Sequence, residues 1–146
     1  MCQVIFVADI RKPLPKATPE TQEFWDGVKQ GKFILQRCND PKCAKVYFPP
    51  RPFCPVCASR SVSSFAGSGR GKLASYVINH RPAPGFDAPY GICIVDLDEG
   101  PRLMTSIVGV PQTPEALVLD MAVELAPTVA SDEISLPTFR PVGANS

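Results

Sequence analysis

Four cysteines constrain the middle of this chain more than any other feature. They arrive as two close pairs, Cys38 and Cys43 with four residues between them and Cys54 and Cys57 with two, and ten residues separate the pairs. Two ligands of one metal ion sit only a few ångströms apart. Each pair therefore needs a tight turn, and Pro41 and Pro55 fix φ for such turns. Four thiolates fill a tetrahedral site and leave no open position, so the metal holds structure and activates no water. The spacing predicts a structural zinc ribbon with Cys38, Cys43, Cys54 and Cys57 as ligands. The alternatives are rubredoxin-like iron, a metal-free relic and a disulfide. A redox-active Cys-x-x-Cys stands near a βαβ pattern, and none follows Cys57. Cys2 and Cys93 read as incidental core residues.

A ribbon of this size cannot bury enough surface alone, so the rest of the 146 residues must supply a core for it to lean on. The chain divides into an N-terminal arm and helix (1–34), the ribbon (35–62) and a third unit (63–146). The run Val4-Ile5-Phe6-Val7-Ala8 is too short to cross a bilayer and has no basic flank or cleavage site, so it reads as neither a membrane span nor a signal peptide. Paired thiols without a signal predict a reducing, cytoplasmic setting. Residues 1–17, with Pro13 and Pro15 among charges, read as an arm whose Val4–Val7 stretch suits edge pairing.

Charge is segregated although the net is only +1. Between Lys29 and Arg81 there are ten basic residues and one acid, whereas nine acids and two arginines follow Pro82. A basic middle suits a phosphate-bearing ligand, and it equally suits the negative charge of a metal tetrathiolate on a solvated face.

Thr18-Pro19-Glu20 carries the signs of a helix start, with a hydroxyl N-cap, proline at the first helical position and an early acid. Phe24, Trp25 and Val28 then fall on one stripe, and Gly31 is the stop. Phe33–Gln36 reads as a strand into Cys38, with Val46–Phe48 as its hairpin mate. Ser59–Ser64 reads as a polar bridge. Gly67–Gly71 is a turn before a strand over Lys72–Ile78; no helix follows it, so it fails as a phosphate loop, and its glycines suit a bend or bulge. Asn79–Tyr90 is a long loop stiffened by three prolines. Strands are expected over Gly91–Leu97, Pro101–Val108, Met121–Leu125 and Ile134–Phe139. Short strands without long helices predict a curved antiparallel barrel of OB type. The whole is α+β and mostly β: an N-terminal helix, a rubredoxin-like zinc ribbon and a C-terminal OB-fold barrel.

In order along the chain, Phe24-Trp25, the strand into Cys38 and Cys43, Tyr47-Phe48-Pro49-Pro50-Arg51, Cys54-Pro55-Val56-Cys57, Gly69-Arg70-Gly71, Pro89-Tyr90 and Val95-Asp96-Leu97-Asp98-Glu99-Gly100 resemble the acyl-CoA-associated zinc-ribbon and OB-fold family once known only as a domain of unknown function. The resemblance spans about residues 20–140. It departs at the first cysteine pair, which is usually Cys-x-x-Cys, and at Asp120, where glycine is common before the fourth barrel strand. It implies a non-catalytic accessory subunit that pairs with a thiolase-fold large subunit (a thiolase, acyltransferase or aldolase) as a hetero-oligomer. That complex would take an acyl-CoA, with structural zinc in the small subunit and the catalytic groups in the large one.

Coenzyme A carries phosphates and a long pantetheine arm. On that basis Arg51, Arg70, Lys72 and Arg81 are candidate phosphate contacts, and Phe86 and Tyr90 candidate channel or partner contacts. Bracing of the ribbon and filling of the barrel mouth are the plainer roles for the same side chains. A module binding single-stranded nucleic acid is the alternative function, since ribbons and OB-folds both serve it. The acidic barrel region, with only Tyr76 and Phe139 as strand aromatics, argues against it. His80, the only histidine, has no legible catalytic partner, and no catalytic residue is assigned.

Overall fold

A computed structural model describes residues 12–143, so the edge-pairing expectation for Val4–Val7 falls outside the described residues. The helix α1 spans Gln22–Lys29, one turn later than the Thr18-Pro19 signal implies. A turn precedes it in which the N–H groups of Thr21 and Gln22 both reach Thr18 O, at 3.0 and 2.8 Å. The hydroxyl of Thr18 meets that of Thr21 at 3.1 Å instead of capping a backbone N–H. Gly31 ends the helix as expected. At φ 76° it lets its own N–H reach Val28 O (3.0 Å) and the Lys32 N–H reach Gly27 O (2.8 Å), the paired bonds of a Schellman stop.

The ribbon is a three-stranded antiparallel sheet in the order β2-β1-β3, with β1 at Ile34–Cys38, β2 at Val46–Tyr47 and β3 at Val62–Ala66. The strand β3 takes the second half of the expected polar bridge and runs on to Ala66. Five of its residues pair with β1, from Ile34 opposite Ala66 to Cys38 opposite Val62. Its serines obscured the signal because an edge strand is held by its backbone ladder while much of its side-chain surface stays wet.

Residues 70–141 carry a curved five-stranded sheet: β4 (Arg70–Asn79), β5 (Tyr90–Leu97), β6 (Arg102–Thr105), β7 (Ala122–Leu125) and β10 (Phe139–Pro141). Their order is β10-β7-β4-β5-β6. The two edges meet only at a parallel bridge between Ile107 and Phe139, so the OB-type barrel is not closed by a continuous ladder. A small hairpin, β8 (Thr128–Val129) with β9 (Ser135–Leu136), interrupts the last crossing. The single strand expected over Ile134–Phe139 is split because Pro137 between β9 and β10 has no N–H to give a ladder.

Strand β5 alternates: Gly91, Cys93, Val95 and Leu97 are buried, and Ile92 faces out. Cys93 is fully buried in the core, as its reading as a core residue anticipated. The expected bulge is present but sits at Ala74, where the β4–β5 register shifts between Leu73 and Ser75. Gly71 serves close approach instead. A Cβ there would lie 2.4 Å from Asp96 O. The Gly67–Gly71 turn and the Asp98-Glu99-Gly100 turn are tied together: Ser68 N–H donates to Glu99 Oε1 (2.5 Å) and Asp98 N–H to Arg70 O (3.0 Å).

One hydrophobic core runs through helix, ribbon and barrel. Phe33 is its joint, with ring centroids 5.3 Å from Phe24, 5.2 Å from Phe48 and 6.1 Å from Phe139.

Candidate metal centre and apolar groove

The four predicted ligands converge: the Sγ atoms of Cys38, Cys43, Cys54 and Cys57 all lie within 4.8 Å of one another. The contacts Cys38–Cys57 and Cys43–Cys54 are 3.5 and 3.7 Å. A tetrahedron with Zn–S of about 2.3 Å sets its sulfurs about 3.8 Å apart, so the residues present fit zinc. Cys38 and Cys54 are buried, Cys43 half-buried and Cys57 exposed.

The two halves of the site are built alike despite unequal spacing. In the second, the Ala58 N–H returns to Cys54 O (2.9 Å) and the Val56 N–H reaches Cys54 Sγ (3.4 Å). In the first, the Ala44 N–H returns to Asp40 O (2.8 Å) and the Lys42 N–H reaches Asp40 Oδ1 (2.9 Å). Asp40-Pro41-Lys42-Cys43-Ala44 thus repeats Cys54-Pro55-Val56-Cys57-Ala58, with a carboxylate where the turn's first sulfur stands. The ligand itself is supplied two residues earlier by Cys38 at the end of β1. The longer first spacing is thereby accommodated.

Main-chain N–H groups surround the sulfurs. The N–H groups of Cys57 and Val56 bring the Cys54 thiol down to about 7. The Lys45 N–H pulls Cys43 down, but burial and the neighbouring Cys54 and Cys57 thiols leave it raised. Burial pushes Cys38 up to about 12 against the Asp40 N–H. Metal binding must displace the protons these thiols hold, so metal affinity falls as pH falls. Sequence reasoning missed Tyr47 at this site. Its pKa is raised, first by burial and then by Cys54 and Cys38, and its hydroxyl is buried without a hydrogen-bond partner.

The six other candidates form three groups. Arg51 is exposed on the ribbon, its N–H donating to Gln36 Oε1 at 2.7 Å. Arg70 and Lys72 are exposed at the start of β4, in register with Glu124 and Asp96 respectively. Phe86 and Tyr90 lie at the other end of β4 and β5, ring centroids 5.0 Å apart, with Arg81 exposed on the same loop. Lys72 and Asn79 are seven residues apart, about 23 Å along a strand. The structure therefore separates Arg70 and Lys72 from Phe86 and Tyr90.

The loop around Phe86 is ordered by its own sequence. Ala83 and Phe86 exchange backbone bonds (3.2 and 2.8 Å) across Pro84-Gly85, with Gly85 at φ 79° as a type II turn requires. Asn79 Nδ2 donates to the Tyr90 hydroxyl at 2.6 Å, and the Lys12 ammonium stands 4.1 Å from the Phe86 ring centroid. Phe86, Tyr90, Ile92 and Met104 line an open groove of about 340 Å³. Met104 is 70% exposed and Val77, opposite Ile92, is 63% exposed. No helix among the described residues is long and apolar enough to cross a membrane.

Comparison with known proteins agrees with this architecture. Residues 25–63 match the family described as ChsH2, rubredoxin-like zinc ribbon domain, and residues 66–127 match ChsH2, C-terminal OB-fold domain. The chain belongs to this zinc-ribbon and OB-fold family, the DUF35 proteins. A DUF35 domain-containing scaffold protein of Pyrococcus furiosus is 39% identical over 73% of this chain and 76% of its own length. A probable enoyl-CoA hydratase alpha subunit of Thermomonospora curvata is 34% identical over 89% of this chain, but the match spans only 40% of that longer protein. Among solved structures, a chain of the Ltp2-ChsH2(DUF35) aldolase superposes with a TM-score of 0.75 at 34% identity, covering 88% of this chain and 98% of that one. A DUF35-family protein of unknown function from Sulfolobus solfataricus shares the fold at 16% identity, with a TM-score of 0.59.

Proposed function

We propose that this chain is a non-catalytic accessory subunit that pairs with a thiolase-fold enzyme and helps bind or channel its acyl-CoA substrate. The observation that carries the reading is the likeness, over nearly the whole of both chains, to a chain of the Ltp2-ChsH2(DUF35) aldolase. Relatives named as a hydratase alpha subunit and as scaffold proteins support the coarser part, an accessory role beside an acyl-CoA enzyme. The metal site supports the same division of labour, because four protein thiolates leave no position for a substrate.

The apolar groove is the part of the surface best suited to this role. Phe86, Tyr90, Ile92 and Met104 offer a contiguous apolar face, and aromatic residues and methionine are enriched where proteins meet. Arg81 on the same loop would meet a phosphate at that end, whereas Arg70, Lys72 and Arg51 would contact phosphate elsewhere or only brace the strand and ribbon that carry them. The test is CoA-ester affinity of the purified complex with the two basic groups reversed separately. Arg81→Glu is expected to weaken it by about tenfold or more, the scale of one lost charge-assisted contact. If neither Arg81→Glu nor Arg70→Glu/Lys72→Glu changes it, these residues do not hold the phosphates. If the chain forms no complex with an acyl-CoA enzyme, the accessory role itself fails.

A further inference from the structure

We propose that the apolar groove beside Phe86 is the docking site of this chain's own N-terminal segment, residues 4–10. The groove of Phe86, Tyr90, Ile92 and Met104 continues, through Met104, Thr105 and Ser106, into a second apolar hollow of about 190 Å³ against Leu136 and Pro137. Together they form one apolar strip along β6, from which Met104 stands largely exposed. Contiguous apolar surface of this kind marks a docking site. Strand β6 also ends its sheet. Over Arg102–Thr105 it pairs with β5 on one side, and no strand pairs with its other side among the described residues. An open backbone edge beside an apolar strip fits an extended, apolar segment.

The path of the described chain leads there. Pro15 and Ala17 share a cavity with Ile134, two residues before Leu136, and Lys12, the first described residue, sets its ammonium 4.1 Å from the Phe86 ring centroid. The chain thus reaches the Phe86 end of the groove with residues 4–10 still to place. Val4, Ile5, Phe6, Val7, Ala8 and Ile10 are apolar and mostly of the β-branched or aromatic types that suit a strand, and Asp9 alone is polar. Extended, seven residues span about 23 Å and the four of β6 about 13 Å, so the segment is long enough to run the length of that edge. A tether this short holds the segment at an effective concentration in roughly the millimolar range, which favours it over a second copy of the chain. The inference does not rest on the accessory-subunit reading, and an enzyme partner using the same groove would have to displace the segment.

The test uses the full chain, with the Met104 methyl group as its probe. In carbon-13-labelled protein that methyl is expected to show nuclear Overhauser contacts to side chains of residues 4–10. In Ile5→Asp/Phe6→Asp those contacts are expected to vanish and the Met104 signal to shift, while that of Met121 stays in place. Neighbouring residues of a strand face opposite ways, so the two substitutions disrupt docking by either face. Peroxide is expected to oxidise Met104 to its sulfoxide several-fold more slowly in the full chain than in the variant, and equal rates would count against the proposal. Absence of the contacts with both sets of signals assigned, or contacts from residues 4–10 only to another part of the surface, would overturn it. So would contacts that pass an isotope filter in a mixture of labelled and unlabelled chains, because a second copy would then be the occupant. The wild-type contacts decide the question even if the variant fails to fold.

Discussion

Ala44 and Ala58 follow the second cysteine of each pair, and both adopt the left-handed conformation, at φ 47° and 60°. A side chain in that region costs about 1–2 kcal/mol, a penalty that glycine avoids. Each turn keeps the strain because its N–H must return four residues to close the loop around the metal. Ala44→Gly and Ala58→Gly are therefore each expected to stabilise the metal-loaded protein by about 1 kcal/mol, read as a rise in unfolding midpoint. A fall in midpoint would show that the alanine methyls pack usefully. Asp120 is a third case. It stands at φ 66° before β7, its N–H donating to Leu73 O at 2.8 Å, at the position where the family resemblance leads one to expect glycine. Aspartate tolerates this region better than alanine does, which is how the departure from glycine leaves the strand crossing intact. Asp96 shows the sign of a surface ion pair. Arg102, at 2.5 Å, holds its carboxyl below the ordinary range, so the pair's contribution is present above that range and is lost as pH falls through the lowered value. Asp96→Asn is expected to flatten the acid side of the stability profile slightly.

Within the elements, the first metal turn gives the sharpest test of how the ligands are chosen. Asp40 occupies the turn position that Cys54 occupies in the second half, yet Cys38 supplies the sulfur. Asp40→Ala is expected to cost about 1 kcal/mol, as loss of a side-chain-to-backbone turn bond does, and to leave one zinc per chain by metal analysis. Loss of the metal would instead make Asp40 part of its binding. Gly71→Ala drives a methyl into the Asp96 carbonyl and is expected to cost about 1–3 kcal/mol in denaturant unfolding. The ligand set was legible because cysteine pairs flanked by proline turns have few other uses. The helix stop at Gly31 and the β5–β6 hairpin were legible from local turn chemistry alone. What escaped were β3, whose serines hide a backbone ladder, and the burial of Tyr47 near the metal turns, both set by tertiary pairing; the split at Pro137 was a local proline signal left unread.

At the scale of the molecule, the helix, ribbon and barrel share one core, and Phe33 touches aromatic rings from all three. Phe33→Ala is expected to destabilise by about 3–5 kcal/mol and to loosen the ribbon and barrel together. Such coupling would let the metal site stiffen the surface that carries Phe86 and Tyr90 without touching it. The basic stretch of the sequence is distributed in the fold over the ribbon and both ends of a long strand. The most direct test of the accessory-subunit account is co-purification of the tagged full chain from its native host, with mass spectrometry and metal analysis on the same eluate. The account predicts a stoichiometric thiolase-fold partner, about one zinc per chain as a site of four thiolates requires, and acyl-CoA turnover that needs both proteins. A chain that elutes alone, or with nucleic acid in place of an enzyme, would contradict it.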